Sequence, residues 1–337
     1  MPSVIDFRDR SFKGVEIGRE DGIDVLTVSD PHALTQISGF FRYAAAPGRT
    51  FFRGESKLHT TVLPSLFRDP SGPITFTSLS NRQSALKSYI DRLSVSDCVC
   101  PAHTAAPRRK LKFRESHLCT GKIPRRPRGA LIPGTFRAAV EPLLQHYGIR
   151  TRWLDLVDNV WIALWFACHE QKTEYEKTGN AGSTSRAYAY HLRRSPFDPT
   201  SSSSHYAYIY MFSTGVLNPT EVPGYELSKE HRLIDLRYAT PSVYLRPHAQ
   251  HGLLLANRTM PSGDPQGAVD QHTLNSALSG IIRIRLGDAL DWLGSGALTD
   301  VFNLFPPAYS DLGYRKLLNA EDAPHSIGAI TNYQGGI

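Results

Sequence analysis

The stretch LLQHYGIRTRWLDLVDNVWIALWFA, Leu143 to Ala167, decides how this chain is read. Its first half is dense in side chains that do chemistry: Gln145, His146, Tyr147, Thr151, Arg152, Asp155 and Asn159. Its second half, Val160 to Cys168, holds two Trp and one Phe and no charged residue, so it is expected to be a buried helix. Gly148 suits the position just past the end of a preceding helix over 136–146. A polar loop between two such helices fixes its groups at the rim of a core. Those groups can meet a ligand, or they can be scaffold. In the second case Asp155 or Asp158 caps the next helix, Thr151 bonds backbone amides and Arg152 pairs with Asp155.

Outward from this centre, the pattern predicts strands at 23–29, 50–54, 187–192, 206–212, 252–256 and 280–286. Helices are expected over 30–41, with Asp30 as N-cap and Pro31 in the first turn, over 79–93, and from 288, with another near Asp300. Residues 1–23 read as a loosely ordered arm and 170–185 as a polar connection. Several strands with segregated helices point to an α+β domain, a central sheet with helices packed on it. The expected division is an N-terminal arm and helix over 1–44, a domain over 45–317 and a C-terminal tail over 318–337.

The chain has 337 residues, 41% hydrophobic and 20% charged, with a formal net charge of +7. That is a globular composition, and its positive excess permits an anionic partner without requiring one. Much of the charge lies in a Cys/Pro/Arg-rich insertion at about 95–130, where the basic stretch 108–128 offers phosphate contacts to RNA or DNA. In the same insertion Cys98, Cys100, His103, His117 and Cys119 are donors that zinc accepts, but their C-x-C-x-x-H and H-x-C spacing departs from the usual pairs, and no zinc is expected. The N-terminus has no apolar leader and no apolar run approaches 18 residues, so no membrane span and a cytoplasmic location are expected. P-loop, zinc-protease and α/β-hydrolase signatures are missing.

Two further polar clusters stand out. Arg53-Gly54-Glu55 closes a strand, where a guanidinium can reach a phosphate and glycine lets backbone come close. Arg246 to Gly252, RPHAQHG, precedes Leu253-Leu254-Leu255 and reads as a strand-entry loop that places Gln250 or His251 at the rim of the core.

Taken in order, these pieces resemble the FRG domain family. Phe52-Arg53-Gly54 matches its eponymous motif, and Pro64-Ser65-Leu66-Phe67-Arg68 matches the element that follows. Gln145, His146, Gly148, Thr151, Arg152, Leu154 and Asp155 match its centre, with Ala163, Leu164, Phe166 and Ala167 after them. Arg246, Gln250 and Gly252 fit a later element, and Ile281 to Leu286 with Phe305-Pro306 fit its end. The likeness spans roughly 45–317. Glu55 stands where the family has Gln, Arg150 where it has Pro, and Leu156 and Val157 where it has Trp and Thr.

A fold-level likeness extends to ADP-ribosyltransferases, which place an Arg on an early strand, a Ser/Thr motif on a middle strand and a Glu or Gln near a late one. Arg53, Thr151-Arg152 and Gln250 follow that order. The resemblance implies an ADP-ribosyltransferase-like fold and an NAD-dependent ADP-ribosyltransferase or NAD glycohydrolase, acting as a toxin or anti-phage defence effector. It implies NAD as substrate, held by Arg53, Gly54, Tyr147, Thr151 and Arg152. Arg53, Glu55, His146, Thr151, Arg152, Asp155 and Gln250 are the implied catalytic set. Within it, Gln250 would bond the ribose, Glu55 or Asp155 would stabilise positive charge, and His146 would move a proton. Gln250 cannot act as a base, so Glu55, Asp155 or His251 would take that part. A non-catalytic nucleotide or nucleic-acid binding module and a nuclease are the alternatives.

Overall fold

A computed structural model describes residues 12–69, 74–94, 137–178, 183–193, 206–258, 273–294, 300–320 and 322–331. The insertion at about 95–130, with its basic stretch and its Cys/His donors, lies outside the described residues.

One mixed sheet organises the fold. Its strands are β1 (Val15–Glu20), β2 (Ile23–Val28), β3 (Thr50–Glu55), β4 (Leu154–Val157), β7 (Tyr206–Ser213), β8 (Asn218–Pro219), β9 (Tyr225–Leu227), β10 (His231–Asp235), β11 (Gly252–Asn257) and β12 (Leu278–Arg285). They lie in the order β1-β2-β12-β7-β3-β4-β11-β10-β9-β8. All neighbours are antiparallel except β2 and β12, which are parallel. A separate hairpin is formed by β5 (His169–Thr178) and β6 (Ser183–Leu192). The helices are α1 (Pro31–Ala45), α2 (Phe76–Ser94), α3 (Arg137–His146), α4 (Val160–Cys168), α5 (Leu236–Ala239), α6 (Leu245–Ala249), α7 (Leu286–Leu293), α8 (Val301–Leu304) and α9 (Leu312–Leu318). This is the α+β architecture that the pattern predicts.

The middle of the sheet is buried on both faces. Phe52, Val157, Ile209, Met211 and Ile282 pack with Leu34 and Phe41 of α1 and Ala163 and Leu164 of α4. Their sequence neighbours Phe51, Leu156, Tyr210 and Ile281 belong to a second cluster with Leu154, Leu253 and Leu255. Leu254 and Ile234 join a third, with Tyr89 of α2, Leu143 and Leu144 of α3, and Tyr147. A strand covered on both sides reads as a continuous apolar run, which explains Leu253-Leu254-Leu255. Local signals hold at α1, where Asp30 accepts from the amides of His32 and Ala33 and Pro31 opens the helix.

Several expectations are corrected. Residues 15–20 belong to no loose arm: they form edge strand β1, paired with β2 along its length. Residues 170–178 are not a connection but most of β5. The Arg246 segment contains helix α6 rather than only a strand-entry loop. Neither Asp155 nor Asp158 caps α4: the side chain of Asn159 accepts from Trp161 N. Residues 325–331 pack against the loop after α3, with Arg150 N donating to Ile327 O and Thr331 N to Tyr147 O. No helix among the described residues is long and apolar enough to cross a membrane.

Candidate functional site

β3, β4 and β11 are adjacent at the centre of the sheet, and α3 ends beside them. Between them lies a cavity of about 410 Å³ whose walls include Arg53, Gln145, His146, Asp155, Gln250 and Phe305. Two glycines bring these elements together. A Cβ at Gly54 would lie 1.8 Å from the carbonyl oxygen of Ala163, so α4 rests directly on the β3 backbone. A Cβ at Gly252 would lie 2.5 Å from His146 Nε2, so glycine leaves the space that the imidazole needs.

Gln145 is the joint of the loop. Its Oε1 accepts from Ser65 Oγ at 2.9 Å, Thr151 Oγ1 at 2.7 Å and Thr151 N at 3.2 Å. Its Nε2 donates to Asp155 Oδ2 at 2.8 Å. Thr151, fully buried, therefore works through Gln145 and does not line the cavity. A part-buried network of this kind fixes the carboxylate through its Oδ2 and holds it in one orientation.

The neighbouring His146 is held by its other side. His146 Nδ1 and Gln250 Oε1 are 3.1 Å apart, and Gln250 Nε2 donates to Leu304 O at 2.7 Å. With the amide so oriented, Oε1 faces the ring and Nδ1 must carry the proton. The lone pair of the neutral imidazole is then on Nε2, which lies 3.6 Å from Asp155 Oδ1. Nε2 and Oδ1 are both buried without a hydrogen-bond partner. Two acceptors thus face each other, and a proton taken up between them would satisfy both. Burial pushes the imidazole below its usual range and outweighs the opposite pull of the Asp155 carboxylate. His146 is therefore neutral near pH 7, as a proton acceptor must be.

Arg53 closes the cavity from β3. Its Nε pairs with Glu55 Oε1 at 2.5 Å and its NH1 donates to the Asp155 carbonyl at 2.9 Å. Burial raises the Glu55 pKa, but the Arg53 and Arg68 charges outweigh it and hold the carboxyl below its usual range.

Of the residues expected at the site, Arg53, Gly54, His146, Asp155 and Gln250 line this cavity. Arg152 does not, nor does it pair with Asp155: its Nε and NH2 donate to Glu141 of α3 at 2.9 and 2.5 Å. Tyr147 is fully buried, stacks on Tyr314 at 5.4 Å between centroids and donates to Asp311 Oδ2, so its ring packs in the core. His251 sits apart from the cavity walls and bonds Asp158 Oδ1 at 2.9 Å.

Two residues support the site from behind: Arg246, which the sequence shows only as a motif residue, and Asp311, which no motif marks. Arg246 is fully buried, donates to His146 O at 2.9 Å and lies 4.5 Å from the Tyr147 ring centroid and 4.6 Å from that of Tyr314. Asp311, also fully buried, accepts from Tyr147 Oη and from the amides of Leu245, Arg246 and Tyr314. Among the described residues no group of three or more His, Cys, Asp or Glu side chains is placed to hold a metal ion.

Residues 48–176 match the family model described as FRG domain, so the chain carries this domain. The match includes Arg53, Gln145, His146 and Asp155, while Gln250 joins them from β11's threshold, beyond it. No curated protein and no solved structure matches the chain.

Proposed function

We propose that this FRG-domain protein consumes NAD, as an ADP-ribosyltransferase or, with water as acceptor, an NAD glycohydrolase. The observation that carries the reading is the unpartnered His146 Nε2 facing Asp155 Oδ1 across 3.6 Å, in a cavity that Arg53 also lines. A volume of about 410 Å³ falls in the range of roughly 300–1,000 Å³ typical of small-molecule sites. The order of strands supports the same reading, since those carrying Arg53 and Asp155, and the one that follows Gln250, are neighbours.

The chemistry needs a base for the acceptor and negative charge near the ribose. An acceptor O–H, N–H or water donates its proton to His146 Nε2 as it attacks C1′ of the nicotinamide ribose. The C1′–nitrogen bond breaks, and nicotinamide leaves with the bonding pair. The Asp155 carboxylate stabilises the positive charge that develops on the sugar. Gln250, with one amide end on His146 and the other on Leu304, is a positioning residue that fixes the tautomer of the base. Draining NAD or modifying a cellular acceptor would suit a toxin or defence effector, and nucleic acid is the acceptor that the basic stretch 108–128 favours.

The test is nicotinamide release from NAD by the purified chain, followed by transfer of labelled ADP-ribose to cell protein, RNA and DNA. Wild type should release nicotinamide, and His146→Ala should lower the rate by about 100-fold or more. Saturable NAD binding with no release by wild type would contradict the reading.

A further inference from the structure

Arg53 is a wall of two cavities. Besides the large one, it lines a smaller space of about 100 Å³ with Glu55, His59, Thr61, Val62, Leu63, Arg68 and Tyr210. We propose that this annex is a diphosphate subsite, and that the ligand of the large cavity is a nucleoside diphosphate or a molecule that contains one. The inference rests on the reading of the large cavity as a nucleotide site, but it needs no turnover.

Charge is the first ground. The annex walls carry two guanidiniums, Arg53 and Arg68, against one carboxylate, Glu55, with His59 beside them, so the walls are net positive. The Asp155 carboxylate, outside the annex, also acts on Arg68. Glu55 is 18% exposed at its side chain and pairs with Arg53 Nε. It thereby holds the arginine at the boundary of the two spaces. Guanidinium forks suit phosphate oxygens, and a ligand that spans both cavities passes Arg53.

Rigidity is the second ground. The loop between β3 and Pro64, which supplies most of the annex, is tied down at several points. Tyr210 Oη accepts from His59 N at 2.5 Å and donates to His59 O at 3.1 Å. Asn275 accepts from Val62 N at 2.9 Å and donates to Thr60 O at 3.1 Å. Leu66 N donates to Thr151 O, and Arg68 Nε to Leu63 O at 2.6 Å. An anion would therefore meet a preformed site and order little on binding. The stretch Pro64 to Arg68 also carries Ser65, which bonds Gln145. The same segment thus builds the annex with one end and steadies the Asp155 loop with the other.

Isothermal titration of the full chain with ADP, inorganic pyrophosphate and adenosine tests this. ADP and pyrophosphate should bind saturably, and adenosine at least about tenfold more weakly than ADP. Arg68→Met should weaken ADP about tenfold, the scale of one lost charged hydrogen bond, and leave adenosine unchanged. Glu55→Gln, nearly isosteric, should tighten pyrophosphate, a gain that misfolding cannot produce. Equal affinity for ADP and adenosine would overturn the proposal, as would an Arg68→Met variant that binds ADP like wild type. Arg68-dependent ADP binding without NAD turnover would uphold the subsite and refute the catalytic reading. NAD turnover unaffected by Arg68→Met, with ADP binding unchanged, would do the reverse.

Discussion

His146 is the residue on which the proposed chemistry turns, and its environment fixes its pH behaviour. Burial holds its pKa below the usual imidazole value, against the pull of Asp155 and of the bond to Gln250. Activity that needs neutral His146 should therefore be flat near pH 7 and fall only below the ordinary imidazole range. Gln250→Glu places a negative charge on Nδ1–H, which favours the imidazolium. The acid limb of the kcat/KM profile should move towards neutral pH in that variant; an unmoved limb would remove His146 from the role of base. At this scale the sequence was partly legible. His146, Asp155 and Gln250 are visible as chemistry-bearing types in short motifs. Their division of labour is not, because the Gln250 partners lie 104 and 54 positions away. Arg152 was misplaced for the same reason: its partner Glu141 precedes the loop, on the helix, while the nearer carboxylate at Asp155 was already taken by Gln145. Asp311 is the N-cap of α9, and nothing local in the sequence shows that it also anchors Tyr147 and α6.

Among the elements, the contact of α4 with β3 positions everything else. The close approach of Gly54 to Ala163 and Ala167 lets the helix lie against the strand that carries Arg53. Gly54→Ala puts a methyl into backbone atoms that cannot yield singly. We expect a loss of about 3 kcal/mol or more, or no folded protein, read by chemical denaturation. Unchanged stability would mean that the strand and helix are not seated as described. Elements with an apolar face or a cap were legible: α1 from Asp30-Pro31, α4 from its unbroken apolar run, β7 and β11 from theirs. Those without one were not. β1 is a half-exposed edge strand with no apolar face, and β5, HEQKTEYEKT, is dense in Glu and Lys. β4 has four residues in register with β11, too few for alternation to stand out from the loop before it. Residues 322–331 give no signal at all, since Gly328 and Thr331 take their place on the cavity wall through pairing with the Gly148 loop.

The whole molecule buries several histidines in neutral form. Burial lowers the pKa of His146, His231 and His248, and pushes that of His169, stacked on Trp165 at 3.8 Å, down to about 4. In the unfolded chain these groups take up a proton near pH 6.5. Between that value and the lowered folded values, the unfolded state binds more protons. Stability is thus fully present above about pH 6.5 and is lost as pH falls towards 4, with roughly 3 kcal/mol from His169 alone. His169→Phe should flatten the dependence of the unfolding free energy on pH over this window, and an equally steep dependence would show that His169 is charged when folded. The α+β class was legible from the mixture of patterns. The order of the strands was not, since it depends on pairings such as β12 between β2 and β7 that no local pattern records. That order sets β3, β4 and β11 side by side and makes one cavity from residues 53, 146, 155 and 250. The most direct measurement of what this cavity does is nicotinamide release from NAD by wild type, His146→Ala and Arg53→Ala. Wild type should release nicotinamide, His146→Ala should lose about 100-fold or more of that rate, and Arg53→Ala should show a marked loss. No release by wild type, or full activity in either variant, would contradict the proposed reaction.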